Sequence, residues 1–180
     1  MRYVLTPPSP AWPLDFKAEA KLLQDALGAS AIELHHIGST AINGIFAKPI
    51  IDILLVTTDL ELLDHAAPKM AGLGYGVMGE FGIPGRRYFR KDSAEGVRTH
   101  QVHAFQFGSP HIERHLAFRD YMNAHADAAA AYSELKQRLA NAHPDDFVAY
   151  MDGKDAFIKE HEFSALAWAR CTRSGTRLHT

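Results

Sequence analysis

The chain has 180 residues, 47% of them hydrophobic and 22% charged, enough for one domain with a real core or for one domain with a small second lobe. Nineteen Lys and Arg against 21 Asp and Glu give a net charge of −2, which excludes the basic field of a bulk nucleic-acid binder. The single cysteine, Cys171, excludes an intramolecular disulfide and fits a reducing compartment, and no apolar run approaches the roughly 20 residues that span a bilayer; a cytoplasmic protein with no membrane role is expected.

The opening residues, MRYVLTPPSPAWPLDF, lack the basic and unbroken apolar regions of a signal peptide. RYVL predicts a short strand, and the prolines of TPPSPAWP predict an extended lead-in. From Leu14 to Leu27 the apolar residues Phe16, Ala20, Leu23, Ala26 and Leu27 recur at helical spacing, and Gly28 follows as a stop. AIELHHI and PIIDILLV are short, rich in aliphatic residues and bounded by Gly or Pro, as buried strands are. Between them Ser39 can cap a short helical turn. A helix over 59–71 is expected, interrupted by Pro68. YGVMGEF, RRYFRKD and HQVHAFQF then predict a run of antiparallel strands.

After Gly108 the pattern changes to amphipathic helices. The first has Ser109 as N-cap and Pro110 at its first position, the second has Asp127 as cap, and the third runs toward Cys171, with a frayed tail from Thr172. Phe118 and Tyr121 fall at core spacing in the first of these, and Phe163, Leu166 and Trp168 are expected to face inward in the last. The predicted fold class is α/β, one domain over 1–180, with an α/β core over 1–108 and a helical portion over 109–171.

The stretch HHIGSTAINGIFAKPIIDILLV concentrates the chemistry. A Gly-Ser turn after a buried strand presents backbone N–H groups and a small hydroxyl to one point, so Gly38, Ser39 and Thr40 can cradle a phosphate. Asp52 on the neighbouring strand can hold a divalent cation that neutralises that phosphate, or can simply pair with Lys48 or an arginine. Lys48 is a candidate for balancing substrate charge. In GRRYFRK, alternation puts Arg86, Tyr88 and Arg90 on one face and Arg87, Phe89 and Lys91 on the other. Arginine forks suit phosphate oxygens and aromatic rings suit a base, so Arg86, Arg87 and Lys91 join the substrate-binding candidates; the alternative is a solvated face paired with nearby acids. His100 and His103 stand three apart and point to opposite faces of a strand, so one of them reaches Asp52. Imidazole suits Zn or Mn better than Mg, and His36 beside the turn is a second candidate ligand.

Four separated segments, HIGSTAINGIFAKPIIDILLV, GEFGIPGRRYFRK, RTHQVHAFQFGS and LAFRDYMNAH with YSELKQRLA, together resemble the GrpB family, from about the first helix to Lys159. The resemblance implies a nucleotidyltransferase-like fold, with a mixed β-sheet, flanking helices and a helical C-terminal portion. It also implies a nucleotide or another phosphate-bearing small molecule as ligand, and a divalent metal (Mg, Mn or Zn). Ile37-Gly38-Ser39 and Asp52-Ile53 match the superfamily pattern, with Asp52 as the catalytic, metal-holding carboxylate and His103 as the more constant histidine. Leu54 stands where that pattern has a second carboxylate. Two functions follow as expectations: metal-assisted nucleotidyl transfer to an acceptor hydroxyl, or a non-catalytic nucleotide-binding or accessory domain, as in fusions to dephospho-CoA kinase.

Overall fold

The computed structural model describes residues 4–175. They fall into two units. One comprises Ser9–Ala41 and Pro49–Ile112; the described parts of the other are residues 4–8, Ile42–Lys48 and 113–175. The C-terminal helical structure begins at Pro110, just after Gly108, while the boundary between the units falls between Ile112 and Glu113, and the helical unit also takes in the segment from Ile42 to Lys48. No helix of the described residues is long and apolar enough to cross a membrane.

The first unit is a five-stranded sheet with helices packed on it. Helix α1 (Trp12–Leu27) starts with Pro13 in its first turn and ends at Gly28, whose φ of +56° stops the helix. Strands β1 (Glu33–Ile37) and β2 (Ile51–Thr57) pair antiparallel. The predicted 59–71 helix is two helices, α2 (Leu60–His65) and α3 (Ala67–Gly72), broken at Ala66 just before Pro68, as a ring without an N–H requires. Of YGVMGEF only β3 (Tyr75–Val77) is strand, followed by β4 (Arg86–Asp92) and β5 (Arg98–Gln106).

The strand order is β1-β2-β5-β4-β3, with β2 and β5 parallel and every other pair antiparallel. The two central strands carry the buried Ile53, Leu54, Leu55, Val102, Ala104 and Phe105. Residues i and i+2 share a face. One face therefore holds Ile53, Phe89 and Lys91, and α1 covers it, with the Phe16 ring 4.9 Å from that of His36 and the Glu19 carboxylate 2.9 Å from Lys91 Nζ. The other face holds Asp52, Leu54, His103, Arg86, Tyr88 and Arg90.

The second unit contains α5 (Ala126–Ala142), α6 (Phe147–Gly175) and most of α4 (Pro110–Ala124). Ile42, Ile45, Met122, Ala129 and Tyr132 form its core, with Phe118 and Phe157 packed against them. Helices α5 and α6 approach closely enough that a Cβ on Gly153 would stand 3.0 Å from Leu139 Cδ1. The Asp127 cap is corrected: Asp127 lies inside the first turn of α5, and His125 occupies the cap position without a side-chain cap bond. Instead of fraying at Thr172, α6 continues to Gly175, because Thr172 Oγ1 donates to the Trp168 carbonyl and Arg173 pairs with Glu113; the rest of the predicted tail lies outside the described residues. Phe163 is 79% exposed rather than inward, and Ala165 is the buried residue on that stretch. The predicted RYVL strand falls partly outside the described residues; Val4 and Leu5 are not strand, and Thr6 makes an isolated antiparallel bridge to Ala47.

Candidate functional site

The site begins where β1 ends. Ile37 pairs with Asp52 across the β1–β2 ladder, and Gly38 follows with φ +70°, turning the chain into a 3-10 turn over Ser39–Ala41. A Cβ on Gly38 would collide with Asp52 Oδ2 and lie 2.9 Å from the Asp52 Cβ and Cγ. Only glycine gives the backbone this turn and this closeness at once. The Asp52 carboxylate thus lies against the Gly38 bend, and its side chain keeps 25% of its surface exposed.

His103 stands beside it. Leu54 is the register partner of His103, so alternation along β2 brings Asp52 to the same face, and Asp52 Oδ1 is 3.6 Å from His103 Nε2. On the other side of the imidazole, Arg86 Nη1 is 3.4 Å from Nδ1. A guanidinium can only donate, so this contact favours Nδ1 as the acceptor and an N–H on Nε2, facing Asp52.

Arg86 is 7% exposed and is held by the turn that precedes β4: Nε donates to the Glu80 carbonyl at 3.1 Å and Nη2 to the Phe81 carbonyl at 2.7 Å. Its guanidinium lies 4.9 Å from the Tyr88 ring centroid. Phe81, a non-glycine residue at φ +45°, stacks on Tyr88 at 5.2 Å, and Tyr88 in turn is 5.3 Å from the His103 ring. Burial raises the Tyr88 phenol above its ordinary range and the Asp52 charge adds to this, while Arg98, Arg86 and Arg90 act against it. A carboxylate, an imidazole N–H, two stacked rings and a set of arginine charges therefore share one patch of sheet.

Other expected participants are placed elsewhere. His36 pairs in register with Ile53 and so lies on the opposite face from Asp52, where Phe16 stacks on it and its Nε2 is 3.0 Å from Thr40 Oγ1. It is therefore corrected as a ligand partner of Asp52. Thr40 is buried and its hydroxyl donates to the Ile50 carbonyl at 3.1 Å, so it holds the turn rather than a phosphate. Ser39 stays at the start of the turn, half-buried. Arg87 is also on the opposite face, forked onto Asp64 at 2.6 and 2.7 Å; this pairing pulls the Asp64 carboxyl below its ordinary value and raises the guanidinium. Lys91 donates to both Glu19 oxygens, at 2.9 and 3.2 Å, and Glu19 also accepts from the Tyr75 hydroxyl. These two basic residues are corrected from ligand-binding to structural partners.

His100 faces the same Glu19, with Nε2 at 3.9 Å from Oε2, beside a cavity of about 370 Å³ lined by Trp12, Pro49 and Ile51 among others. Glu33 pairs with His35, and Glu80 accepts from the Gly85 N–H, so neither is drawn to Asp52. Lys48 belongs to the helical unit, its Nζ over the Phe147 and Tyr150 rings. The Phe81–Tyr88 stack was not legible as a pair, since nothing in the loop composition announces a phenylalanine held at positive φ.

A zinc site takes at least three protein donors, whereas Mg²⁺ is held by one or two carboxylates together with substrate phosphates. Here Asp52 has His103 beside it, Leu54 follows two residues along β2, and no group of three or more His, Cys, Asp or Glu residues among the described residues could hold an ion. The described residues do not fit a preformed metal centre of three or more protein ligands.

Comparison with known proteins agrees with the geometry. A family model described as GrpB protein matches residues 2–163. The protein YqkA of Bacillus subtilis is 44% identical over 88% of this chain, which spans 46% of that relative's length. A dephospho-CoA kinase of Mycolicibacterium paratuberculosis is 28% identical over 93% of this chain and 47% of its own. The crystal structure of GrpB from Enterococcus faecalis superposes with a TM-score of 0.88 at 43% identity, covering 92% of this chain and 99% of the other. The structure of Cid1 in complex with its short product ApU matches with a TM-score of 0.51 at 12% identity, over 72% of this chain and 41% of Cid1. That distant match speaks to the fold alone. On the Gly38–Asp52 bend, the mixed sheet and the span of the family match together, this chain belongs to the GrpB family and has a nucleotidyltransferase-like fold.

Proposed function

We propose that the Asp52 face of the sheet binds a nucleotide or a related phosphate-bearing small molecule without metal-assisted transfer. The observation that carries this reading is the joint placement of the Asp52 carboxylate, pressed against Gly38, and the His103 N–H, beside the Phe81–Tyr88 stack. Asp52 accepts from ribose hydroxyls, the rings offer a platform for a base, and the exposed Arg90 supplies charge for phosphate oxygens. The partial similarity to a protein named dephospho-CoA kinase, of which a chain like this one forms about half, supports a ligand-binding or assisting role beside a separate catalytic domain.

Thermal unfolding against a panel of nucleosides, nucleotides and dephospho-CoA tests the reading. A ligand at a hundred times its Kd stabilises by about 2.7 kcal/mol, or roughly 5–10 °C for a chain of this size. One member of the panel is expected to give such a shift, to keep it in EDTA, and to lose it in Asp52→Asn. A flat response refutes the proposal. Metal-dependent release of pyrophosphate that disappears in Asp52→Asn would replace it with catalytic transfer.

A further inference from the structure

The face of the sheet opposite Asp52 borders a cavity of about 370 Å³, within the size range of small-molecule pockets. It lies between α1 and the first residues of β2 and β5, and every residue that lines it belongs to the sheet unit. Trp12, Asp15 and Glu19 reach it from α1 at the i, i+3 and i+7 spacing that a helix puts on one face. Trp12, Pro49 and Ile51 give it apolar walls. The exposed Asp15 stands at its border, so solvent reaches it on the α1 side.

The polar groups of this cavity are acceptors. The Thr99 hydroxyl donates to the Lys91 carbonyl at 3.1 Å, so it offers a lone pair to His100 Nδ1, 3.0 Å away. That contact favours an N–H on Nδ1 and leaves Nε2 as an acceptor. Burial pulls the His100 pKa down and so favours the neutral ring; the Glu19 charge acts against this, Lys91 adds to it, and Asp15 opposes it. Nε2 faces Glu19 Oε2 across 3.9 Å, acceptor toward acceptor. The gap is too wide for a hydrogen bond between the two and suits one N–H-bearing nitrogen placed between them. Among the described residues that line the cavity are two carboxylates and no lysine or arginine. Lys91 balances the Glu19 charge from outside the lining; an occupant with one positive charge complements that of Asp15.

We propose that this cavity binds a small primary amine, its ammonium set between His100 Nε2 and Glu19 on the side of Asp15 and its apolar part against Trp12, Pro49 and Ile51. The site stands apart from the nucleotide reading, because it lies on the other face of the sheet and uses none of the same residues.

Titration of the full chain with benzylamine at neutral pH, followed by NMR through the Trp12 indole N–H and the His100 ring, tests it. Saturable shifts of both signals are expected, and benzyl alcohol, which keeps the ring but lacks the charge, should bind at least tenfold more weakly. Asp15→Asn, at an exposed position, keeps the fold and should weaken benzylamine roughly threefold to fivefold, the size of a solvent-exposed ion pair. His100→Leu should weaken it about tenfold or more, the loss of one charge-assisted hydrogen bond. In the parent, binding should weaken as pH falls below about 6.5, because a protonated His100 repels the ammonium. Lys91 strengthens that repulsion, while Glu19 and Asp15 lessen it. The midpoint of the loss should coincide with the titration of the His100 ring in the free chain and should vanish in His100→Leu, which a merely structural histidine would not produce. No saturable shift at millimolar benzylamine, equal affinity for benzyl alcohol, or unchanged affinity in both variants would overturn the proposal.

Discussion

Gly38 is the residue on which the site's shape turns. Its φ of +70° is costly for any residue with a Cβ, by about 1–2 kcal/mol, and the Cβ itself would strike the Asp52 carboxylate. Gly38→Ala is therefore expected to lower stability by about 2 kcal/mol in urea unfolding and to weaken ligand binding as well, because the carboxylate is displaced. Equal binding by Gly38→Ala and the parent would remove the bend from the site. The pairing of this turn with Asp52 was legible in the sequence because a strand, a glycine and a second strand carry it within a short span. The fates of Arg87 and Lys91 were not, since their partners Asp64 and Glu19 lie 23 and 72 residues away along the chain. Alternation already placed Arg87 opposite Arg86; what it could not supply was the acid waiting on that side. His36 was misjudged by nearness in sequence, although its position next to Ile37 already assigned it to the other face of β1.

At the scale of elements, α5 and α6 impose a pH dependence. Lys48 and Lys136 have folded-state pKa values below those of the unfolded chain. Their ammonium forms are thus favoured more in the unfolded state, and stability is expected to rise as pH increases from about 7 toward 10, and to fall as pH drops through that window. Lys154→Met, by removing the like charge, should flatten this slope in melting temperature measured against pH; an unaltered slope would show that the three lysines do not act on one another. The elements themselves were largely visible from periodicity: α1, both aliphatic strands and the break at Pro68 follow from local patterns. What periodicity concealed was a lysine on an apolar stripe. Lys136 sits seven residues after Ala129 and four before Ala140, the position of a core residue. Phe163 failed in the opposite sense, an apolar residue on a helix face left exposed.

At the scale of the whole molecule, the family match over residues 2–163 and the mixed sheet agree on the fold. The parallel pairing of β2 with β5 could not be read from strand propensity, which is silent about partners; it depends on a crossover through α2, α3, β3 and β4. That pairing has a kinetic corollary. Asp52 and His103 come from strands separated by most of the sheet's sequence, and long-range pairings of this kind close late. In stopped-flow refolding, the return of ligand affinity should coincide with the slowest burial phase of Trp12 fluorescence and not precede it, so that a nascent chain halted before Arg98 has every local element of β2 and yet no site at all.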